Sequence, residues 1–311
     1  MSPDPRTLRI ATRASPLALW QARHIAGMLG IECRLVVVNT TGDRRHDVPI
    51  HAMGGQGVFV KEVQAAVLDN RADVAVHSAK DLPSAPSAIQ AGLMIGAVPE
   101  RGDPRDALVG AGMADLAPGA RVATGSVRRR AQMLGLRPDL VISDLRGNIE
   151  SRLAKAGQFD AIVMATVALD RLGRSDVISQ ILEPEVMLPQ VAQGALAVEC
   201  RTDDEATADL LSRVNHEPSA AAVRSERAFL AQLGAGCDAP VGAWARPAKT
   251  NSDESLELVL DALVADPDGT RILRQRHTGT DPEALGRAVF ALLAAQPGAS
   301  DLLAYSRSSY K

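Results

Sequence analysis

The chain has 311 residues, a formal net charge of -3 and only 3% aromatic residues. This length exceeds what one hydrophobic core usually serves, so two or three domains are expected. The small net charge gives no general attraction to nucleic acid or to anionic membranes, and few aromatic residues are present to stack on single-stranded nucleic acid. The three cysteines, Cys33, Cys200 and Cys237, are too few for a disulfide framework and have no zinc-site spacing.

Targeting and membrane segments are not predicted. Residues 1–10 contain no apolar stretch of the signal-peptide type. The longest mostly apolar run, at residues 161–169, is far shorter than a membrane span. A cytoplasmic protein without a membrane or nucleic-acid partner is therefore expected.

The first two-thirds of the chain alternates segments typical of strands with segments typical of helices. Ser15 followed by Pro16 predicts the start of the first helix, because serine caps helix N-termini and proline suits the first turn. This alternation, with apolar strands, indicates an α/β fold with parallel sheets covered by helices. The predicted strands are 8–12, 34–38 (of the buried type), 72–76, 121–124, 140–143 and 161–166, and the predicted helices are 16–29, 58–70, 127–136 and 149–156.

Two regions differ from this pattern. Residues 40–57 are rich in glycine and charge and are predicted to form a long loop, whose segment 54–57 is a candidate lid. The last third predicts a helix over 219–233, a hairpin of 256–265 and 270–277 around a turn at 266–269, and a helix over 281–295. This indicates a small C-terminal α+β domain from about residue 216.

Polar and cationic residues follow several predicted strands. Ligands of open α/β sheets bind at this edge. Residues 124–126 lead into a helix, a layout typical of anion sites because free backbone N–H groups face the ligand. Several separate carboxylates fit these cations better than one phosphate. Nucleotide binding is not favoured, because the chain contains no nucleotide-binding glycine motif. The strand-end residues are Arg13, Ser15, Lys80, Asp81, Thr124, Ser126, Arg128, Arg129, Arg146 and Arg152.

Each of these features also has a plainer explanation. Arg128 and Arg129 would fit a solvated basic first turn of a helix. Asp81 would fit a structural ion pair with Lys80 or a nearby arginine. As a functional group it would instead be a carboxylate that moves a proton beside a reacting cation. Cys237 lies in a glycine-rich loop where its sulfur is reachable, although a lone cysteine is more often a small buried apolar residue.

Segments along essentially the whole chain resemble the porphobilinogen deaminase family. The order and spacing of the segments carry the resemblance, since any one of them is weakly specific. The most specific match is Gly236 and Cys237 with Pro240, which resembles the family's cofactor-attachment loop. The other matches are LRIATRASPLALW (8–20), GGQGVFVKE (54–62), NRADVAVHSAKDLP (70–83), DPRDA (103–107), the pair Arg128 and Arg129, LRGN (145–148) and LPQVAQGA (188–195).

The resemblance implies a three-domain monomer. Two α/β domains like those of periplasmic binding proteins would flank a cleft, and a small α+β domain would carry the cofactor cysteine. The first domain would be discontinuous, because a strand at 194–199 returns to it. The implied domains are 1–96 with 192–215, 97–191, and 216–311.

The resemblance also implies the hydroxymethylbilane synthase reaction. Porphobilinogen units would condense stepwise, with loss of ammonia, onto a dipyrromethane primer held by a thioether to Cys237, before hydrolysis releases the linear tetrapyrrole. Asp81 would assist proton transfer and stabilise the azafulvene cation that forms as ammonia leaves. The implied cofactor-binding residues are Lys80, Asp81, Ser78, Thr124, Ser126, Arg128, Arg129, Arg146 and Gly147. The implied substrate-binding residues are Arg13, Ser15, Arg128, Arg152 and Gln193.

The chain departs from the family at one place. Ala52 and Gln56 stand where some members have lysines.

Other classes of protein stay open. One alternative is a non-catalytic anion-binding protein with the same two-lobed fold. Another is an acyl or amido transferase with Cys237 as nucleophile, but its nearest preceding histidine is His216 and no partner for that base is evident. His77 is expected to be a structural residue at a strand end.

Overall fold

The computed structural model of the chain describes residues 7–39, 60–84, 90–234, 239–248 and 256–308. These fall into two compact units, the first from Met1–Arg101 with Ala195–Ala220 and the second from Gly102–Gly194 with Ala221–Lys311. The elements are β1 (Leu8–Arg13), α1 (Pro16–Leu29), β2 (Cys33–Val38), α2 (Lys61–Leu68), β3 (Val74–Ser78), β4 (Leu93–Ala97), β5 (Asp106–Gly110), β6 (Arg121–Ala123), α3 (Val127–Leu136), β7 (Val141–Ser143), α4 (Ile149–Ala154), β8 (Ala161–Ala165), α5 (Thr166–Arg171), β9 (Ile178–Leu182), β10 (Leu196–Arg201), α6 (Glu205–Ser212), α7 (Glu217–Leu233), β11 (Val241–Pro247), β12 (Leu258–Ala265), β13 (Ile272–Gly279), α8 (Pro282–Ala294) and α9 (Ala299–Ser308).

The first unit is built on a five-stranded sheet in the order β2-β1-β3-β10-β4. β1 runs parallel to β2 and β3, whereas β10 is antiparallel to β3 and β4. Apolar side chains cover both faces of the sheet. On one face Ile10 packs with Ile25 of α1 and Leu211 of α6, and on the other Ala11 packs with Val63 and Val67 of α2.

The second unit contains a sheet of the same topology, in the order β7-β6-β8-β5-β9. β6 is parallel to β7 and β8, and β5 is antiparallel to β8 and β9. Met133 of α3 packs with Leu108 on one face, and Leu169 of α5 packs with Ile162 on the other. The two sheets therefore present equivalent edges where their parallel strands end.

A third, antiparallel sheet of β11, β12 and β13 lies in the same unit as the second. A small apolar cluster joins it to α3, with Ala131 and Leu188 packed against Leu263. The buried carboxylate of Glu226 on α7 accepts hydrogen bonds from the backbone N–H groups of Ala192, at 2.6 Å, and Ala245, at 2.7 Å. The small C-terminal sheet-and-helix domain is thus firmly attached to the second α/β domain.

Two α/β domains and a small C-terminal α+β domain confirm the predicted fold class. α3 has the predicted bounds, and Ser15 caps α1, its Oγ lying 3.3 Å from the N–H of Ala18. β12 and β13 form the predicted hairpin. The strands predicted for each sheet run parallel to one another, but both sheets are mixed rather than fully parallel, because β10 and β5 enter them in antiparallel orientation.

Three local predictions also differ from the structure. β2 is half-exposed rather than buried, with Val37 52% exposed, because it forms the edge of its sheet. The predicted strand at 72–76 begins and ends two residues later, at Val74–Ser78, because His77 and Ser78 pair with β10. The helix predicted over 58–70 spans Lys61–Leu68. The predicted loop at 40–57, with its candidate lid, lies outside the described residues.

Candidate active site

Residues at the ends of β1 and β3 share a pocket in the first unit. Arg13 and Ser78 are the last residues of these neighbouring parallel strands, and Ser15 caps α1 beside them. With Asp81 they line a pocket of about 60 Å³. This volume accommodates a few water molecules, so the pocket fits one end of a larger ligand.

A short 3₁₀ turn, Ala79–Asp81, follows β3 and places Asp81 at this pocket. The backbone N–H of Ala79 donates to the carbonyl of Ala195, at 3.0 Å, which fixes the start of the turn. Lys80 is half-buried in the same turn. The hydroxyl of Ser78 accepts a hydrogen bond from Nε2 of Gln21, at 2.8 Å, and Gln21 also lines the pocket.

The equivalent edge of the second sheet carries Thr124 and Ser126. Thr124 Oγ1 accepts from the N–H of Ser126, at 3.2 Å, and Ser126 Oγ caps α3 by accepting from the N–H of Arg129, at 3.4 Å. Both hydroxyls serve as acceptors in these bonds, so their O–H groups remain suited to donate to an anion. The first turn of α3 has no acidic residue, which favours a negative ligand there.

Arg128 and Arg129 of α3 both bind one buried carboxylate, that of Asp106. Arg128 Nη2 lies 2.8 Å from Oδ2, and Arg129 Nη2 lies 2.8 Å from Oδ1. Gln193 Nε2 donates to the same Oδ1, at 2.8 Å. The side chains of the two arginines are 2% and 7% exposed, so the alternative of a solvated basic turn is wrong.

Burial and charge act in opposite directions on this cluster. Burial alone raises the pKa of Asp106, but the charges of Arg128 and Arg129 outweigh it and lower that pKa to about 2. Burial lowers the pKa of Arg128, as does the neighbouring Arg129, while Asp106 raises it. One carboxylate thus serves two buried guanidinium groups.

Arg146, Gly147 and Arg152 follow β7 at the same edge. Arg146 Nε contacts Asp144 Oδ2 at 2.7 Å, and Arg152 Nε donates to the carbonyl of Gly147 at 2.8 Å. Gly147 has a φ of 120°, and a Cβ there would collide with the hydroxyl of Ser151. Burial lowers the pKa of Arg152 to about 10, and repulsion from Arg129 and Arg146 adds to this.

The structure therefore groups the predicted residues into two sets. Arg13, Ser15, Ser78 and Asp81 share the pocket of the first unit. The second unit groups Thr124, Ser126, Arg128, Arg129, Arg146, Gly147, Arg152 and Gln193 at one sheet edge. Cys237 lies outside the described residues.

The residue at the centre of the second set, Asp106, was not predicted from the sequence as a site residue. It lies in the DPRDA segment (103–107), where it is the second acidic residue and stands at the start of an apolar strand. A carboxylate at that position was the available signal. Arg171 was also not predicted from the sequence. Burial lowers its pKa to about 10, and its Nη2 donates a hydrogen bond to the carbonyl of Gly194 at 2.8 Å.

The described part of the chain contains no grouping of three or more histidine, cysteine or acidic side chains that could hold a metal ion. None of its helices has the length and apolar content needed to cross a bilayer.

Comparison with known proteins identifies the family. Residues 8–209 match the family described as porphobilinogen deaminase, dipyromethane cofactor binding domain, and residues 220–295 match the porphobilinogen deaminase C-terminal domain. The porphobilinogen deaminase of Acidothermus cellulolyticus is 48% identical over 310 residues, covering 95% of this chain and 91% of its own. That of Brevibacillus brevis is 43% identical over 306 residues, covering 95% and 96%.

A solved structure of a putative methionine-binding lipoprotein from Bacillus subtilis is also similar. It is 12% identical, covers 68% of this chain and 90% of its own, and aligns with a TM-score of 0.40, which is too low to support an argument about fold or ligand. The sequence matches over both domains are decisive. The chain belongs to the porphobilinogen deaminase family.

Proposed function

We propose that the residues at the two sheet edges carry out the hydroxymethylbilane synthase reaction of this family. As a family member, the chain is a transferase of tetrapyrrole biosynthesis with a dipyrromethane cofactor and porphobilinogen as substrate. The charges and hydrogen bonds at each edge support the assignment of individual residues to steps.

The observation that carries the proposal is an excess of positive charge at the edge of the second sheet. Within the described part of the chain, the guanidinium groups of Arg128, Arg129, Arg146 and Arg152 interact there with one another and with two carboxylates, those of Asp106 and Asp144. Buried charges are retained where they are paired. Carboxylates of a ligand would complete the neutralisation, and arginine binds carboxylates with paired hydrogen bonds.

The donors at this edge fit a dipyrromethane with acidic side chains. Arg128 Nε is buried and has no hydrogen-bond partner in the described part of the chain, and the hydroxyls of Thr124 and Ser126 can donate. When bound, the cofactor supplies the primer to which substrate units are joined. We assign its binding to Lys80, Asp81, Ser78, Thr124, Ser126, Arg128, Arg129, Arg146 and Gly147, and its attachment to Cys237.

At the edge of the first sheet, Asp81 is assigned as the catalytic carboxylate. It lines the same pocket as Arg13, so a substrate carboxylate held by Arg13 would bring the pyrrole and its aminomethyl group close to Asp81. A fixed negative charge there stabilises the cation that the substrate forms as ammonia leaves. Substrate binding is assigned to Arg13, Ser15, Arg128, Arg152 and Gln193.

The proposal extends to domain limits and cellular context. We assign the three domains to residues 1–96 with 192–215, 97–191, and 216–311. The enzyme is proposed to act in the cytoplasm as a monomer, without a nucleic-acid partner. The net charge of -3 supports the last point, because it gives no general attraction to nucleic acid.

The experiment is the intact mass of the purified chain beside that of Cys237→Ser, with porphobilinogen consumption measured on both. The wild type should exceed its sequence mass by one dipyrromethane and release ammonia and hydroxymethylbilane. Cys237→Ser should have its bare sequence mass and no turnover. A Cys237→Ser variant with wild-type activity would refute attachment at Cys237, and a wild type that binds porphobilinogen without consuming it would indicate a binding protein.

A further inference from the structure

One of the residues that line the pocket of the first unit, His77, belongs to a cluster of three buried polar side chains. His77 on β3, Glu199 on β10 and Gln64 on α2 are 5%, 6% and 4% exposed. Gln64 Nε2 lies 3.0 Å and 2.9 Å from the two carboxylate oxygens of Glu199. His77 Nε2 lies 3.0 Å from Glu199 Oε2. These contacts join a helix to two neighbouring strands, and the family reaction as assigned above uses none of the three.

Glu199 and His77 form a buried pair of a carboxylate and an imidazole. A buried carboxylate is costly unless a positive partner or hydrogen bonds compensate it. In the described part of the chain, His77 supplies the one group in contact with Glu199 that can become a cation. Glu199 is thus placed to stabilise an imidazolium at His77.

The contact between His77 and Glu199 is close but poorly aligned for a hydrogen bond. His77 Nε2 is buried and close to Glu199, but it is out of line for a hydrogen bond with any described group. Buried polar atoms rarely remain unsatisfied. Hydrogen bonds of catalytic groups are often poorly aligned without substrate and improve when charge develops in the transition state.

His77 also reaches the place where the reaction is assigned. Its side chain lines the pocket that Arg13, Ser15 and Asp81 line. With Nε2 turned toward Glu199, Nδ1 is the ring atom that can serve a ligand. The imidazole therefore connects the substrate pocket with a buried carboxylate, as in sites where an acid orients a histidine base.

We propose that His77, oriented by Glu199 and Gln64, is the base that removes the α-proton of the terminal pyrrole after each new carbon–carbon bond forms. The inference rests on the function proposed above. In each round the substrate's carbon–nitrogen bond breaks and releases ammonia. The terminal pyrrole carbon then bonds to the resulting cation, and the electron pair of its C–H bond restores the aromatic ring. The proton passes to Nδ1 of His77 and from there to ammonia, which leaves as ammonium.

This assignment separates two tasks at one pocket. Asp81 stabilises the cation that forms when ammonia leaves, and His77 accepts the proton after bond formation. Glu199 and Gln64 are positioning residues, since they act through His77. A purely structural triad would instead affect stability without changing which step limits turnover.

The test uses dipyrromethane-loaded His77→Gln with ordinary porphobilinogen and with porphobilinogen deuterated at the free α-carbon. We expect kcat to fall by about 100-fold or more, as for loss of a general base, with little change in KM. Deprotonation should become rate-limiting, so a primary isotope effect on kcat should appear or increase. Intact mass should show an unchanged cofactor and an accumulation of chains carrying added pyrrole units. Glu199→Gln should show the same isotope effect with a smaller loss of kcat.

His216→Gln is the matched control. His216 belongs to the first unit, and its Nδ1 contacts the hydroxyl of Ser219 at 2.9 Å rather than lining the pocket. This control should keep the wild-type kcat and isotope effect. Added imidazole should partly restore His77→Ala and leave the control unchanged. The inference is overturned if the wild type turns over normally but neither His77→Gln nor Glu199→Gln changes the isotope effect, a result that leaves the family activity itself intact.

Discussion

Asp106 is the residue on which the charge balance of the second unit most depends. It is fully buried and contacts Arg128, Arg129 and Gln193. Asp106→Asn would keep the shape of the side chain but leave two buried guanidinium groups without a carboxylate. Breaking a buried ion pair in this way typically costs about 3–5 kcal/mol. We expect a decrease of that size in the free energy of unfolding, measured by urea denaturation of the dipyrromethane-loaded protein.

Asp139 provides the control for this substitution. Its carboxylate pairs with Arg137 at 2.7 Å, on the surface of the same unit. Exposed pairs contribute little because water screens both charges. Asp139→Asn should therefore have a far smaller effect than Asp106→Asn. Equal losses in the two variants would mean that the buried cluster is not what stabilises this region.

Among the elements, α3 is held in place by the turn between β12 and β13. Gly269 in this turn has a φ of 72°, and a Cβ there would collide with the carbonyl of Ala131 and lie 2.7 Å from the N–H of Gly135. Gly269→Ala should therefore both strain the turn and push it away from the helix that carries Arg128 and Arg129. We expect a lower free energy of unfolding and a raised KM for porphobilinogen, measured by urea denaturation and by initial rates.

Gly173→Ala separates the two causes. Gly173 has a φ of 65°, but no described atom lies within 4 Å of a Cβ placed there. Its substitution should cost only the backbone strain, roughly 1–2 kcal/mol, and leave KM unchanged. If Gly269→Ala proves no more harmful than Gly173→Ala, the contact between the turn and α3 does not hold the helix.

The sequence predicted elements well where the signal was local. Ser15 and Pro16 marked the start of α1, and the turn at 266–269 separated the strands of the hairpin. The sequence could not reveal that β5 and β10 enter their sheets in antiparallel orientation, since no local pattern records which strand lies beside another. The same limit hid the partner of Arg128 and Arg129, because Asp106 is distant in sequence and meets them only through the sheet. His77 was placed at a strand end, but its contact with Glu199 depends on β10.

For the whole molecule, the excess positive charge of the second unit predicts that the cofactor stabilises the fold. The carboxylates of a bound dipyrromethane would form ion pairs with this cluster only in the folded state, since unfolding disperses the arginines. Wild type carrying the cofactor should therefore unfold at a higher temperature than Cys237→Ser, which lacks it. Arg152→Gln should narrow this difference in unfolding temperature, because it removes one of the positive charges that the cofactor would neutralise. Burial lowers the pKa of Arg152, and repulsion from Arg129 and Arg146 lowers it further.

Scanning calorimetry of the two proteins at low and high salt, with intact mass confirming the cofactor state, measures this difference. Salt screens charges that are accessible to solvent, here those of the partly exposed Arg146 and Arg152, over about 10 Å at 0.1 M and about 3 Å at 1 M. The gap between the two melting temperatures should therefore shrink as salt is added, mostly through a rise for Cys237→Ser. Lys155→Gln, which removes an exposed charge near Arg152 on the same helix end, should not alter the gap. Equal melting temperatures at low salt would show that the carboxylates of the cofactor do not neutralise this cluster.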